Sequence, residues 1–129
     1  MSPFNLFVYG TLQRGGSAHD QLRECDCAGA ATVGGTLYDI DGRFPALLLY
    51  GDAPVRGEVW RCPAALLPQL DAYEGRADSL FRRVGVEATA STGDRLPCWV
   101  YTAGPALSRK LRPEARLPHG AWPVARGSG

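Results

Sequence analysis

Lysine is almost missing from this chain. Lys110 is its one example, and arginine supplies the rest of the positive charge. The arginines are scattered, apart from the Arg109, Lys110, Arg112 cluster, and the formal net charge is only +1. Such a surface has no strong field to steer nucleic acid or an anionic membrane, so neither is an expected partner. No apolar run approaches the about 20 residues that a membrane-spanning helix needs. The N-terminus lacks a basic stretch followed by an apolar stretch and a cleavage site, so no secretory leader is expected and the cytoplasm is the expected location. Cysteine is sparse: Cys25, Cys27, Cys62 and Cys98. In a reducing compartment these read as free thiols. Cys25-Asp26-Cys27 does not have the two-residue spacer of a zinc knuckle, and neither a metal site nor a cofactor is expected.

What remains is an ordinary globular composition. With 129 residues, 45% hydrophobic and 21% charged, the chain is long enough to bury a core without staples and reads as one domain. No internal repeat is present. The domain is expected over residues 1–122, with 123–129 as a flexible tail.

The chain opens with an apolar, strand-favouring run, Phe4, Leu6, Phe7 and Val8, that stops at Tyr9-Gly10-Thr11 and is followed by Arg14-Gly15-Gly16. A strand ending in a glycine turn exposes main-chain N–H groups. Gly10 has no Cβ, so a ligand is expected to reach the backbone there, and a positive φ costs it little. A carboxylate or another small anion suits such a turn. Ser17 and Asp20 have capping-box spacing, which predicts a short helix over 18–24 with His19 as a first-turn surface residue.

Residues 30–40 read as a strand, Asp41-Gly42 as a hairpin turn, and 44–50 as the returning strand, with Leu47, Leu48 and Leu49 buried. Residues 55–62 form the next strand, with Val55, Gly57 and Val59 on one side and Arg56, Glu58 and Trp60 on the other. Leu66, Leu70 and Tyr73 fall at helical spacing and predict a helix within 63–75, with Pro68 in its first turn and Gly75 as its stop. Glu74 is then placed at the helix C-terminus, where the macrodipole raises its pKa a little. Strands over 79–90 and 97–103 follow, and of the remaining tail only 117–122 has the residues to pack. Strands dominate and are joined mostly by hairpins. That pattern predicts an α+β fold built on a mixed, curled, barrel-like sheet.

Taken together, these pieces resemble the gamma-glutamylcyclotransferase-like family, in particular its gamma-glutamylamine cyclotransferase branch. The resemblance rests on Val8-Tyr9-Gly10-Thr11-Leu12, Arg14-Gly15, Gly35-Thr36-Leu37-Tyr38 and Phe44-Pro45-Ala46-Leu47. It also rests on Val55-Arg56-Gly57-Glu58-Val59-Trp60, Leu70-Asp71-Ala72-Tyr73-Glu74-Gly75, Leu80-Phe81-Arg82-Arg83-Val84 and Cys98-Trp99-Val100-Tyr101. It runs in one order over about residues 4–122. The resemblance implies a small mixed β-barrel with flanking helices, and release of 5-oxoproline from a γ-glutamyl compound without a cofactor. It implies that Tyr9, Gly10, Thr11 and Leu12 bind the substrate's α-amino and α-carboxylate ends through main-chain groups. It implies Glu74 as the catalytic glutamate and Tyr101 as a pocket aromatic. Two residues depart from the pattern: Phe81 stands where many relatives have tyrosine, and Ala121 where a tail motif has aspartate.

The chemistry implied asks for one base. The α-amine of the substrate must lose a proton and reach its own γ-carbonyl, and partial burial lifting Glu74 to roughly 6–7 suits that task. Glu58 is the rival carboxylate, but its mid-strand place beside Arg56 and Trp60 reads as an arginine pair or a sheet support. A different class of function is a non-catalytic protein that binds a small amino acid or anion in the same pocket. A third reading, hydrolysis by a Glu58–Glu74 pair, requires both carboxyls on one side of the sheet.

Overall fold

Strand β5 (Pro54–Cys62) alternates so that Val55, Gly57 and Val59 are buried on one face, and Trp60 and Cys62 on the other. Both faces of this strand are therefore covered, as at the centre of a two-layered structure. The computed structural model describes residues 2–122, the side chains of residues 75–79 excepted. In it β5 lies between β1 (Phe4–Val8) and β2 (Asp26–Gly34), pairing antiparallel with each. β2 continues to β6 (Phe81–Ala90), and β6 to β7 (Arg95–Ala103), again antiparallel. A parallel Leu6–Trp99 pairing between β1 and β7 closes the ring in the order β1-β5-β2-β6-β7. The fold is thus the α+β class with a small mixed barrel and flanking helices.

Two apolar clusters follow from this closure. Phe7, Val33, Val55, Val59, Ala88 and Val100 fill the barrel. Leu6, Val8, Trp60 and Cys62, on the alternate face, meet Leu22, Leu66 and Leu70 from the helical segments. Each fully buried Leu or Val contributes on the order of 1.5–3 kcal/mol through removal from water. The ring is drawn tight at Gly57, where an added Cβ would lie 2.2 Å from the Val8 carbonyl oxygen and 2.8 Å from the Phe7 ring.

Several expectations are corrected. The strand expected over 30–40 is two strands. β2 starts earlier and belongs to the barrel, while β3 (Thr36–Ile40) pairs with β4 (Phe44–Leu48) as a separate hairpin, with one further bridge from Tyr38 to Arg116. The bend at Gly35 makes the break: a Cβ there would sit 2.8 Å from the Leu48 carbonyl oxygen. Leu47 is buried as expected, but Leu48 is half-buried and Leu49 is 44% exposed beyond the strand end.

The short N-terminal helix is a single 3-10 turn, His19–Leu22, with Ala18 rather than Ser17 at its N-cap and no side-chain cap. Its entry is held by main chain instead, the Ala18 N–H donating to the Thr11 carbonyl at 2.9 Å. Helix α1 (Leu67–Ser79) carries Pro68 in its first turn, but it runs through Gly75 rather than stopping there. Continuing to Ser79 delivers the chain almost directly into β6, and that junction outweighs the roughly 1 kcal/mol a mid-helix glycine costs.

After β7 a second helix, α2 (Pro105–Ser108), buries Leu107, which the sequence reading left in the tail. Residues 117–122 do pack. The Leu117 N–H donates to the Leu37 carbonyl, the Arg56 N–H to that of Gly120, and Trp122 lies against the barrel cluster. The segment 123–129, read as a flexible tail, lies outside the described residues.

Candidate active site

The stretch after β1 turns sharply, with the Gln13 N–H donating to the Gly10 carbonyl at 3.0 Å. Gly10 is not in a positive-φ conformation; Gly15 takes that role at φ 86°. Nor is the space beside Gly10 left for a ligand. An added Cβ would lie 2.7 Å from Cγ of Pro45, so the glycine is there to let β4 close against the turn. Among the described residues, none accepts a hydrogen bond from the N–H groups of Gly10, Thr11 or Leu12.

A second set of contacts orders the rest of this segment. Glu58 Oε1 accepts from the Arg14 backbone N–H and from Trp60 Nε1, both at 2.9 Å. The Arg14 guanidinium lies over the Trp60 ring, 5.4 Å from its centroid. His19, expected on the surface, is half-buried: its ring meets Trp60 edge-on at 4.9 Å and its Nδ1 lies 2.9 Å from the Leu12 carbonyl. Glu58 therefore fixes the turn through a backbone amide and an indole. Of the two roles expected of it, an arginine pair or a sheet support, its described hydrogen bonds come from main chain and from Trp60 on its own strand, not from a guanidinium.

The turn, α1 and the β3–β4 hairpin enclose a cavity of about 430 Å³, within the usual size of small-molecule sites. Tyr9, Gly10, Thr11, Leu12, Tyr101 and Glu74 all line it, so the residues that the family resemblance implied lie around one cavity. Among the described residues Glu74 is the single carboxylate on its wall, and Glu58 is not part of it. Glu74 does not owe its state to a helix terminus, since α1 continues past it. Desolvation pushes its carboxyl up to about 7. The Tyr9 hydroxyl donates to the Tyr101 carbonyl at 2.6 Å, and burial, with Glu74 nearby, raises its pKa. The Tyr101 hydroxyl donates to Asp71 Oδ1 at 2.7 Å and is likewise raised, by burial first and by that bond second.

Of the opposite wall the sequence pointed only to Phe81, the position where many relatives have tyrosine. Arg43, Phe44 and Pro45 come from the β3–β4 hairpin, and Leu80 and Phe81 from the start of β6. Phe81 meets Phe44 edge to face at 5.8 Å, so that side is apolar where a tyrosine would have brought a hydroxyl. The Asp41-Gly42 turn signal located the hairpin, but nothing local said that it folds over the β1 turn.

A closed five-stranded barrel thus carries, beside the turn after β1, a cavity lined by a desolvated glutamate and of a size that suits a small molecule. The chain belongs to the family described as "Gamma-glutamyl cyclotransferase, AIG2-like", whose sequence model matches residues 6–124. It is 33% identical over 103 residues to gamma-L-glutamyl-butirosin B gamma-glutamyl cyclotransferase of Niallia circulans. That match covers 75% of this chain and 65% of the relative's length. The fold is that of an AIG2-like protein from Mus musculus, with TM-score 0.73 and 24% identity over 89% of this chain and 83% of that one. A uropathogenic E. coli-specific protein shares it too, with TM-score 0.74 and 20% identity over 95% and 94% of the two chains.

Proposed function

We propose that the chain converts a γ-glutamyl amine or amide into 5-oxoproline and a free amine, with Glu74 as general base and then general acid. The observation that carries this reading is the cavity itself. Among the described residues it has a single carboxylate on its wall, raised to about 7, and a turn whose N–H groups at Gly10, Thr11 and Leu12 have no acceptor.

The reaction needs little else. Nucleophile and electrophile belong to one molecule, and holding them in register can supply on the order of 7–11 kcal/mol of the barrier. The substrate's α-carboxylate docks on the turn amides. Glu74, ionised, takes one proton from the α-ammonium, and the freed amine attacks the γ-carbonyl carbon. The resulting oxyanion is stabilised by a peptide N–H. Glu74 then returns its proton to the departing nitrogen as the original amide C–N bond breaks, and the second proton of the attacking nitrogen, lost as the lactam forms, passes through the same carboxylate to the released amine, which leaves as its ammonium. The products are the five-membered lactam and the amine, with no net proton taken up by the enzyme. A carboxyl near 7 suits both halves, since an ordinary glutamate near 4.3 is too weak a base for an α-ammonium near 8.

The Niallia circulans relative is named for a γ-glutamyl compound, gamma-L-glutamyl-butirosin B. That supports γ-glutamyl amines, for instance γ-glutamyl-ε-lysine, as the first compounds to assay. The expected outcome is 5-oxoproline release by the native protein, with kcat falling roughly 10²–10⁴-fold in Glu74→Gln. Native-like turnover in that variant would sink the mechanism. Calorimetric binding of the amide without any turnover by native protein would leave a binding protein instead.

A further inference from the structure

Asp71 lies one turn before Glu74 on α1, and positions three apart share a face of a helix. Asp71 holds the most elaborate polar contact next to the cavity. Its Oδ1 accepts from Arg83 Nε at 2.8 Å and from the Tyr101 hydroxyl at 2.7 Å, while its Oδ2 accepts from Arg83 Nη2 at 3.0 Å. Arg83 on β6 and Tyr101 on β7 are direct cross-strand partners, so one carboxylate spans both strands. The guanidinium is further fixed over the Trp99 ring, 4.3 Å from its centroid. Tyr101 passes the connection on, since its carbonyl accepts from the Tyr9 hydroxyl on the far side of the cavity. α1, β6, β7 and the β1 turn are thus joined in one chain of contacts around Glu74.

We propose that Asp71 is a positioning residue: through its two-pronged contact with Arg83 and its bond to Tyr101 it sets the seat of α1, and so holds the Glu74 carboxyl against the cavity. The proposal rests on the reading of Glu74 as the base. Stability is a poor account of the contact. The Arg83 and Asp71 side chains are 26% and 39% exposed, and ion pairs at such places contribute about 0–1 kcal/mol. What two parallel N–H···O bonds supply is geometry. Geometry is what this chemistry demands, because a misplacement of about 1 Å can cost on the order of 10²-fold in rate.

The consequence is legible in the protonation of Glu74. Desolvation alone raises that carboxyl to about 7. Among the described residues, the titratable groups that share its cavity are Tyr9 just after β1, Tyr101 on β7, Arg43 from the β3–β4 hairpin and Tyr73 beside it on α1, with the Asp71–Arg83 pair one turn back. Burial by itself lifts Asp71, but the bonds from Arg83 and Tyr101 prevail and hold it ionised below the usual carboxylate range. If the clamp is cut, Leu70 still anchors α1 but the turn that carries Glu74 shifts, water reaches its carboxyl and its midpoint falls.

The test uses the full chain and reads the Glu74 carboxyl by carbon-13 NMR, with its resonance assigned by loss in Glu74→Gln. The native midpoint is expected near 7. Asp71→Asn is expected to lower it by at least one unit and kcat by roughly 10–100-fold, with KM within about threefold. Arg83→Lys keeps both charges and removes only the fork, so a smaller shift in the same direction is expected and cannot come from a change of charge. If Asp71→Asn fails to fold, Arg83→Lys carries the same measurement. An unchanged Glu74 midpoint and an unchanged kcat in a folded variant overturn the positioning role, even if only its melting temperature falls. They leave the role of Glu74 intact, which stands or falls with Glu74→Gln.

Discussion

Glu74 is held where a carboxyl is poorly hydrated, and that has a cost the protein bears at neutral pH. Its folded-state pKa of about 7 lies above the ordinary value of 4.5, so the fold binds a proton that the unfolded chain has released. The stability tied to this group is fully present below about 4.5 and is lost as pH rises through about 7. Glu74→Gln removes the ionisation, so it is expected to melt higher than the native protein by a margin that grows from pH 4.5 to pH 8. Paired thermal melts at the two pH values check this. A margin that is constant with pH would show an ordinary, hydrated carboxyl. In kinetics the same group sets the acid limb: kcat/KM should fall below about pH 7 as the base becomes protonated.

At the scale of elements, α1 is the part on which the site depends. Its stripe of Leu66, Leu70 and Tyr73 was legible from spacing alone, and the structure seats Leu70, fully buried, against Leu6, Val8 and Trp60. Leu70→Ala is expected to cost about 2–5 kcal/mol in denaturant unfolding, the range for emptying a buried leucine site. Because the cavity wall is the next turn of the same helix, activity should fall further than the unfolded fraction accounts for. The helix end was not legible. Gly75 reads locally as a stop, yet the chain must reach β6 without a loop, and the sheet's demand prevailed over the residue's preference. The β3–β4 hairpin shows the same limit. Its turn was plain in Asp41-Gly42, while its position outside the barrel depends on strand partners far away in the chain.

For the whole molecule, ring closure decides whether a cavity exists at all. β1 is the narrow point, paired with β5 along its length and with β7 at Leu6–Trp99. Gly57 permits that closeness, since a methyl group there would sit 2.2 Å from a backbone oxygen of β1 and no flexible side chain can yield to relieve it. Gly57→Ala is therefore expected to abolish the cooperative unfolding transition or to leave the chain insoluble. A variant that melts within a few degrees of the native protein would show that the β1–β5 contact is looser than described.

From its own residues the chain set the strand-rich order of elements, the turn at Tyr9-Gly10-Thr11-Leu12, the apolar stripe of α1 and the prominence of Glu74. These are matters of periodicity, turn chemistry and short motifs, all carried by neighbours in sequence. Tertiary structure alone decided that Gly10 makes room for Pro45 rather than for a ligand. It also decided that Arg43 and Phe44 join Phe81 in the facing wall, and that the helix runs on past Glu74, so the burial expected of that carboxyl acts without a helix end. Each of those depends on which distant segments touch, and removal from water is a property of the assembled neighbours, not of any one residue.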